Sequence, residues 1–237
     1  MAETGTRVAL LAGASGLVGG YLLDALLESG DFSRVFAVTR RPLGREHSRL
    51  ANRIVLFDKL ESQLKGQTCD VAFCCIGAPL GKSGSERALR QVDFDYVLAI
   101  ARAARAGQAQ RFVVVTCAGA DPGSRDLRLR VKGEVERELE ALGFPSLDII
   151  QPGRLLGWRK QVDVHQLAAT LLMPLINPLL VGARLPHRGI PARTVAAAML
   201  GAARSGRRGV YRYTYGALNA LAVSKPALSP RAQSVAR

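Results

Sequence analysis

The sequence predicts an α/β fold, a doubly wound parallel sheet. Two observations carry the prediction. Short β-branched runs alternate with longer segments whose apolar residues recur at three- and four-residue steps, the pattern of strand–helix–strand units. The first run also ends in a glycine-spaced loop, "AGASGLVGG", that opens directly onto the first helical segment.

The strands are expected at Arg7–Ala12, Arg34–Thr39, Arg53–Phe57, Val71–Ile76, Arg111–Thr116 and Leu147–Gln151. Helices are expected at Leu17–Glu28, Glu86–Ala106 and Leu127–Leu142, where the apolar spacing keeps one face inward. After "QPGR", Gln151 to Arg154, the character changes to a broken apolar segment, a helix at Ala192–Arg204 and a Tyr-rich strand "GVYRYTY". Insertions after late strands sit above the ligand crevice of such sheets, so this part is assigned a substrate-side role. The expected organisation is a core at 1–155, a small C-terminal substrate-side lobe at 156–215 and a loose Ser-, Pro- and Ala-rich tail at 216–237.

Composition sets bounds on the function. The chain has 237 residues, 48% of them hydrophobic, and a formal charge of +14. That charge asks for an acidic partner. It is diffuse and mostly arginine, with no basic block interleaved with aromatics, so specific nucleic-acid binding is not expected. The four cysteines, Cys69, Cys74, Cys75 and Cys117, lack paired metal spacing, and Cys74 and Cys75 would point to opposite faces of a strand. They read as reduced core residues, and no metal site is expected. The start "MAETGTRVALLAG" runs straight into a strand without a signal-peptide pattern, which gives a cytoplasmic expectation. Leu167–Ala183 alone raises a membrane question, but Pro174, Asn177 and Pro178 would break a spanning helix. It is read instead as a broken helix over a pocket or interface.

The loop "GASGLVG", Gly13, Ala14, Ser15, Gly16, Leu17, Val18 and Gly19, is the strongest functional signal. Gly13 would permit a tight turn, Gly16 would let backbone N–H groups approach a pyrophosphate, and Gly19 would let helix and strand pack closely. The helix start adds unsatisfied N–H donors and a positive dipole end. In this strand–loop–helix context the loop is expected to be the phosphate loop of an NAD(P)-binding Rossmann fold rather than a merely structural turn. At the end of the second strand, where an NAD enzyme places a carboxylate for the ribose 2′-hydroxyl, the chain has Thr39, Arg40 and Arg41. Guanidinium groups pair with a 2′-phosphate and stack on adenine, so NADP(H) is preferred over NAD(H).

Several blocks together resemble a known family: "GASGLVGGYLLDALLESGDFSRVFAVTRRPL", "DVAFCCIGAPLGKSG", "QVDFDYVLAIARAARAG", "VVVTCAGAD", "VKGEVERELEALGF", "IIQPGRLLG" and "GIPARTVAAAML". They are similar to the Tat-interacting-protein-type atypical short-chain dehydrogenases, a family with eukaryotic and bacterial members, from about Arg7 to about Arg204. The resemblance implies an NADP(H) site whose nicotinamide end lies near Cys75, Ile76 and Gly77, near Thr116 and Cys117, and near Gln151, Pro152 and Gly153. It also implies an oxidoreductase assignment made largely by fold, with regulation through protein partners in some members. Lys132 matches the family lysine that binds ribose. Four residues earlier, where relatives usually show tyrosine, stands Arg128; the family's Ser-Ser pair is represented by Thr116 and Cys117. Relatives often place an acid at the position of Leu56, and here the nearest is Asp58. The helix carrying Asp93 and Tyr96 often forms a dimer face in relatives, which admits a homodimer.

Arginine cannot donate or accept the catalytic proton, because its pKa lies above about 12. Three readings of Arg128 stay open. A replacement acid would come from Tyr211, Tyr213 and Tyr215, which alternate on one expected strand. Alternatively the protein binds NADP(H) without turnover, as a sensor or partner-binding module. In the third reading, weak reductase activity on a small-molecule carbonyl substrate uses Thr116, Lys132 and water. Lys132 also reads as a solvated residue of a Glu-rich helix, and Cys117 as a core thiol, since none of His47, His165 and His187 sits in a motif.

Overall fold

The computed structural model describes residues 6–78, 85–157 and 188–223. β1 (Arg7–Ala12), β2 (Phe32–Thr39), β3 (Leu50–Ile54), β4 (Val71–Cys74), β5 (Arg111–Val115), β6 (Ser146–Ile150) and β9 (Gly209–Tyr213) form one seven-stranded sheet in the order β3-β2-β1-β4-β5-β6-β9. All of its pairings are parallel. β7 (Leu155–Leu156) and β8 (Ile190–Pro191) make a separate two-stranded pair. The order reverses between β1 and β4, so the crevice outside the strand ends opens there.

Helices cover both faces because alternate strand residues are apolar on both sides. On one side α1 (Leu17–Glu28) and α6 (Ala192–Arg204) pack over Leu11, Phe73, Val113 and Ile150. On the other, α2 (Leu60–Gln63), α4 (Tyr96–Ala106) and α5 (Leu127–Ala141) pack over Leu10, Ala72, Phe112 and Ile149. Phe73 and Phe112 are both fully buried, each contributing roughly 1.5–3 kcal/mol through area removed from water. Cys74 and Cys75 do face opposite sides, and all four cysteines are free thiols.

Four local expectations are corrected. β3 is Leu50–Ile54 rather than Arg53–Phe57, because pairing with β2 runs from Val35 opposite Leu50 to Thr39 opposite Ile54. It is the sheet edge, so the apolar "IVLF" run was a poor guide: Ile54 and Leu56 lie exposed, and the chain turns at Leu56 into a 3₁₀ turn, Phe57–Lys59. The expected helix Glu86–Ala106 is α3 (Glu86–Arg90), a π-helical turn at Gln91–Asp95, and α4. The Tyr-rich strand stops at Tyr213, and Tyr215 instead opens α7 (Tyr215–Val223). Residues 216–223, expected in a loose tail, therefore belong to a helix whose Leu218 is fully buried. The apolar segment Leu167–Ala183 and residues 224–237 lie outside the described residues; among those described, no helix is long and apolar enough to cross a membrane.

Candidate functional site: a dinucleotide cleft beside a charged column

At the reversal point a cleft of about 830 Å³ is lined by Gly13, Ser15 and Gly16 from the loop after β1, Thr39 to Pro42 after β2, Phe57, the Cys75–Gly77 turn after β4, and Val92 and Tyr96. Its loop is shaped by missing side chains. Gly13 has φ +87°, and a Cβ there would lie 2.7 Å from the Cys75 carbonyl carbon. A Cβ on Gly19 would lie 2.0 Å from the Gly13 carbonyl oxygen. The Gly16 N–H donates to that same oxygen at 2.9 Å, and Gly16 is the N-cap of α1 in extended conformation, without a side-chain cap. The helix start is therefore presented as backbone to the cleft, a fit to a pyrophosphate. Ala14 and Val18 are buried, so they offer only backbone, and Leu17 packs its side chain near Gly157.

Arg40 and Arg41 are exposed at the opposite wall, and the Arg40 guanidinium lies 5.6 Å from the Phe57 ring centroid. Phe57 meets Tyr96 edge-on at 5.3 Å, and the Tyr96 hydroxyl donates to Asp58 Oδ1 at 2.7 Å. Asp58 also accepts from Gln91 Nε2 at 3.0 Å. Burial and this bond push the Tyr96 phenol up to about 12. Thr39 is buried and its hydroxyl accepts from Asn52 Nδ2, so the exposed charge at this wall is that of the two arginines.

The second half of the site is a column on α5. Asp126 caps the helix by accepting from the Leu129 N–H, and Gly133 lets it approach Pro122 so closely that a Cβ would fall 2.2 Å from the proline nitrogen. Arg128, Lys132 and Glu136 follow at four-residue steps and so share one face. Lys132 Nζ lies 3.4 Å from Asp93 Oδ1, and Arg128 lies 3.8 Å from Asp93 Oδ2 and donates to the Ala78 carbonyl at 3.1 Å. Asp93 comes from the π-helical turn, is fully buried, and accepts the Ala78 N–H at 2.7 Å; its Oδ2 has no hydrogen-bond partner among the described residues. Glu136 accepts the Thr116 hydroxyl at 2.6 Å and both its oxygens accept from Gln151 Nε2 at 3.0 Å; Arg212 reaches it at 3.2 Å.

The strand-end residues thus divide into two groups. Gly13, Ser15, Gly16, Arg40, Arg41, Cys75, Ile76 and Gly77 line the cleft. Thr116, Arg128, Lys132 and Gln151 stand beside it, joined to its wall through Gly77, where a Cβ would come within 3.6 Å of Asp93 and 3.9 Å of Lys132. Pro152 accepts the Ala118 N–H through its carbonyl, and Gly153 is half-buried after β6. Burial raises the Cys117 thiol despite nearby Lys132, and Cys75 more so, its thiol set 3.7 Å from the Met199 sulfur. Tyr213 is tied to Asp148 at 2.9 Å and Tyr211 to the Arg208 carbonyl, which occupies both phenols. Asp93 and Glu136 were not singled out as site residues; they lie in polar helical stretches, QVDFD and LRLRVKGEVERELEA, that give no local signal of their burial.

Residues 9–126 match the NAD dependent epimerase/dehydratase family. The protein FMP52-1, mitochondrial, of Scheffersomyces stipitis is 33% identical over 159 residues, 64% of this chain and 69% of its own length. The chain belongs to this family. As a member of the epimerase/dehydratase family it is also similar to protein HTATIP2 of Rattus norvegicus, 40% identical over 155 residues. That match spans 64% of each chain, a little under two thirds of the relative. Together these relatives place it in the atypical short-chain dehydrogenase group that the sequence blocks resemble. Among solved structures, a short chain dehydrogenase from Burkholderia cenocepacia J2315 in complex with NADP has TM-score 0.64 at 16% identity, covering 91% of both chains. The Bordetella bronchiseptica enzyme WbmH in complex with NAD+ has TM-score 0.65 at 15% identity, covering 88% of this chain and 76% of that one. At such identities the likeness is one of fold.

Proposed function

We propose that the protein is an NADP(H)-dependent oxidoreductase of the atypical short-chain class acting on a small carbonyl compound. The observation that carries the reading is the bare glycine cradle of Gly13, Gly16 and Gly19 facing two exposed arginines across one cleft. The α1 N-terminus and loop amides hold the pyrophosphate, Arg40 and Arg41 pair with the 2′-phosphate, and Lys132 lies on the ribose side. A bound nicotinamide supplies hydride exchange with a carbonyl carbon. Calorimetric titration with NADPH, NADP+ and NADH tests it. Phosphorylated forms are expected to bind tighter, and Arg40→Ala with Arg41→Ala to erase at least about tenfold of that preference. Failure of all three nucleotides to bind overturns the reading.

A second reading, a nucleotide-responsive module without turnover, is favoured by two contacts. Arg128 occupies the usual tyrosine position and is engaged with Ala78, and the Thr116 proton is directed to Glu136 rather than outward. Arg128→Tyr separates the two. Carbonyl turnover that appears only in the variant supports the module; turnover already present in the wild type supports the enzyme.

A further inference from the structure

We propose that Asn52, on the edge strand β3, is a positioning residue that sets the nucleotide specificity of the cleft by holding the Arg40–Arg41 loop in place. The inference rests on the NADP(H) reading and names a residue outside the cleft on which that preference depends.

Connectivity points to Asn52. The chain leaves β2 at Thr39, and Arg40, Arg41 and Pro42 then line the cleft. All three are exposed, and the chain enters no strand again until Leu50, so no ladder fixes this stretch. Asn52 ties it on both sides of the arginine pair. Its Nδ2 donates to the Thr39 hydroxyl at 2.7 Å and to the Ala37 carbonyl at 3.0 Å, and its Oδ1 accepts the Leu43 N–H at 3.0 Å. Only Arg40, Arg41 and Pro42 stand between the two anchors, and the Pro42 ring fixes its own φ. Leu43 is half-buried against the core while Pro42 and Gly44 on either side of it are exposed, so the second anchor lies where the loop touches down.

Chemistry points to the side-chain type. The Leu43 N–H can only donate and the Ala37 carbonyl can only accept, so the orientation of the carboxamide is fixed by its partners. Both of its N–H groups and its oxygen are used. An aspartate would offer the Ala37 carbonyl no donor, and an alanine joins neither side. Asn52 is not among the described residues that line the cleft, and none of its three bonds reaches the glycine cradle. It therefore acts through the loop and not on the nucleotide.

The consequence falls on one group of the ligand. Two guanidiniums pair with a 2′-phosphate at full strength when their backbone is already fixed; otherwise the cost of ordering the loop is subtracted from binding. The ribose 2′-hydroxyl of NADH does not use that pairing, so its nucleotide is held by the glycine cradle whether or not the loop is ordered.

Calorimetric titration of NADPH and NADH into the full-length protein and its Asn52→Ala variant tests this. The variant is expected to lose at least about fivefold of the preference for NADPH over NADH, with NADH affinity staying within about twofold. Hydrogen exchange on the nucleotide-free proteins is the second readout: the Leu43 amide is expected to exchange at least about tenfold faster in the variant, with the β1 amides unchanged. A preserved preference, an equal loss of both affinities, or unchanged Leu43 exchange each overturns the inference. Should Asn52→Ala fail to fold, Thr39→Val, which keeps the β-branched shape and removes the hydroxyl acceptor, is expected to lower the same ratio, and a ratio it leaves intact ends the inference. Equal binding of NADPH and NADH by the wild type overturns the NADP(H) reading and the inference with it. A wild-type preference that survives in Asn52→Ala removes the inference alone.

Discussion

A side chain as small as a methyl decides whether the cofactor cradle exists. Gly19→Ala would set a Cβ 2.0 Å from the Gly13 carbonyl oxygen, inside the contact distance of any atom pair. Nothing flexible can yield there, so a loss of about 3 kcal/mol or more is expected, measured by urea unfolding, together with loss of nucleotide binding. Gly20→Ala is the control, since its Cβ would sit 3.7 Å from the nearest carbonyl, an ordinary contact. These glycines were legible because their spacing falls between an apolar strand and an amphipathic helix, the context in which a turn needs them. Asp93 and Glu136 were not: Asp93 was expected only to face the sheet or a partner, and Glu136 read as one of several solvated acids on a charged helix. Asp93 is turned inward by a π-helical turn, and Glu136 is buried by Thr116, Gln151 and Arg212, which come from three different strand ends. Long-range convergence of that kind leaves no local trace.

Among the elements, β5, β6 and α6 are tied by a buried ion pair remote from the cleft. Arg111 meets Asp148 at 2.5 Å, both buried, and also donates to the Ala202 carbonyl and Ser205 at the end of α6. Burial raises the Asp148 carboxyl while Arg111 and the Tyr213 hydroxyl oppose that rise. Arg111→Met would strand the carboxylate and is expected to cost about 3–5 kcal/mol, with Arg111→Met combined with Asp148→Leu recovering part of it, as read from chemical denaturation midpoints. The elements themselves were largely readable. α1 and α6 begin and end where periodicity puts them, since each has an apolar face against the sheet. β3 was misplaced because an edge strand is not obliged to be apolar, and α7 was missed because its packing depends on Gly201, where a Cβ would fall 2.3 Å from the Leu221 carbonyl oxygen. That close approach between α6 and α7 joins segments whose compositions differ.

For the whole molecule, several acids in the core and at the cleft ionise only at high pH. Burial raises Cys74 to about 11, Cys69 to about 12 and Tyr96 to about 12, and raises Tyr213 further, its hydroxyl facing Asp148. Each folded value lies above its unfolded one, so the neutral form is favoured by folding. The stability they contribute is complete below the ordinary thiol value of 9.0 and is lost as pH climbs through about 11. Urea midpoints are therefore expected to hold steady up to about pH 8.5 and to fall steeply above about pH 9.5, with Cys74→Ala flattening the first part of that fall.

The fold class was readable because parallel sheets impose alternation on every unit; the seventh strand was expected as a strand, but its place in the sheet was not readable, since β9 pairs with β6 across some sixty residues of separation. The contact between Gly13 and the Cys75 carbonyl has one more consequence. The loop after β1 and the turn after β4 meet backbone to backbone, so the glycine loop has no room to shift toward β4. A phosphate held there as proposed would require little reordering of the loop, leaving most of the attraction of the amides to appear as affinity.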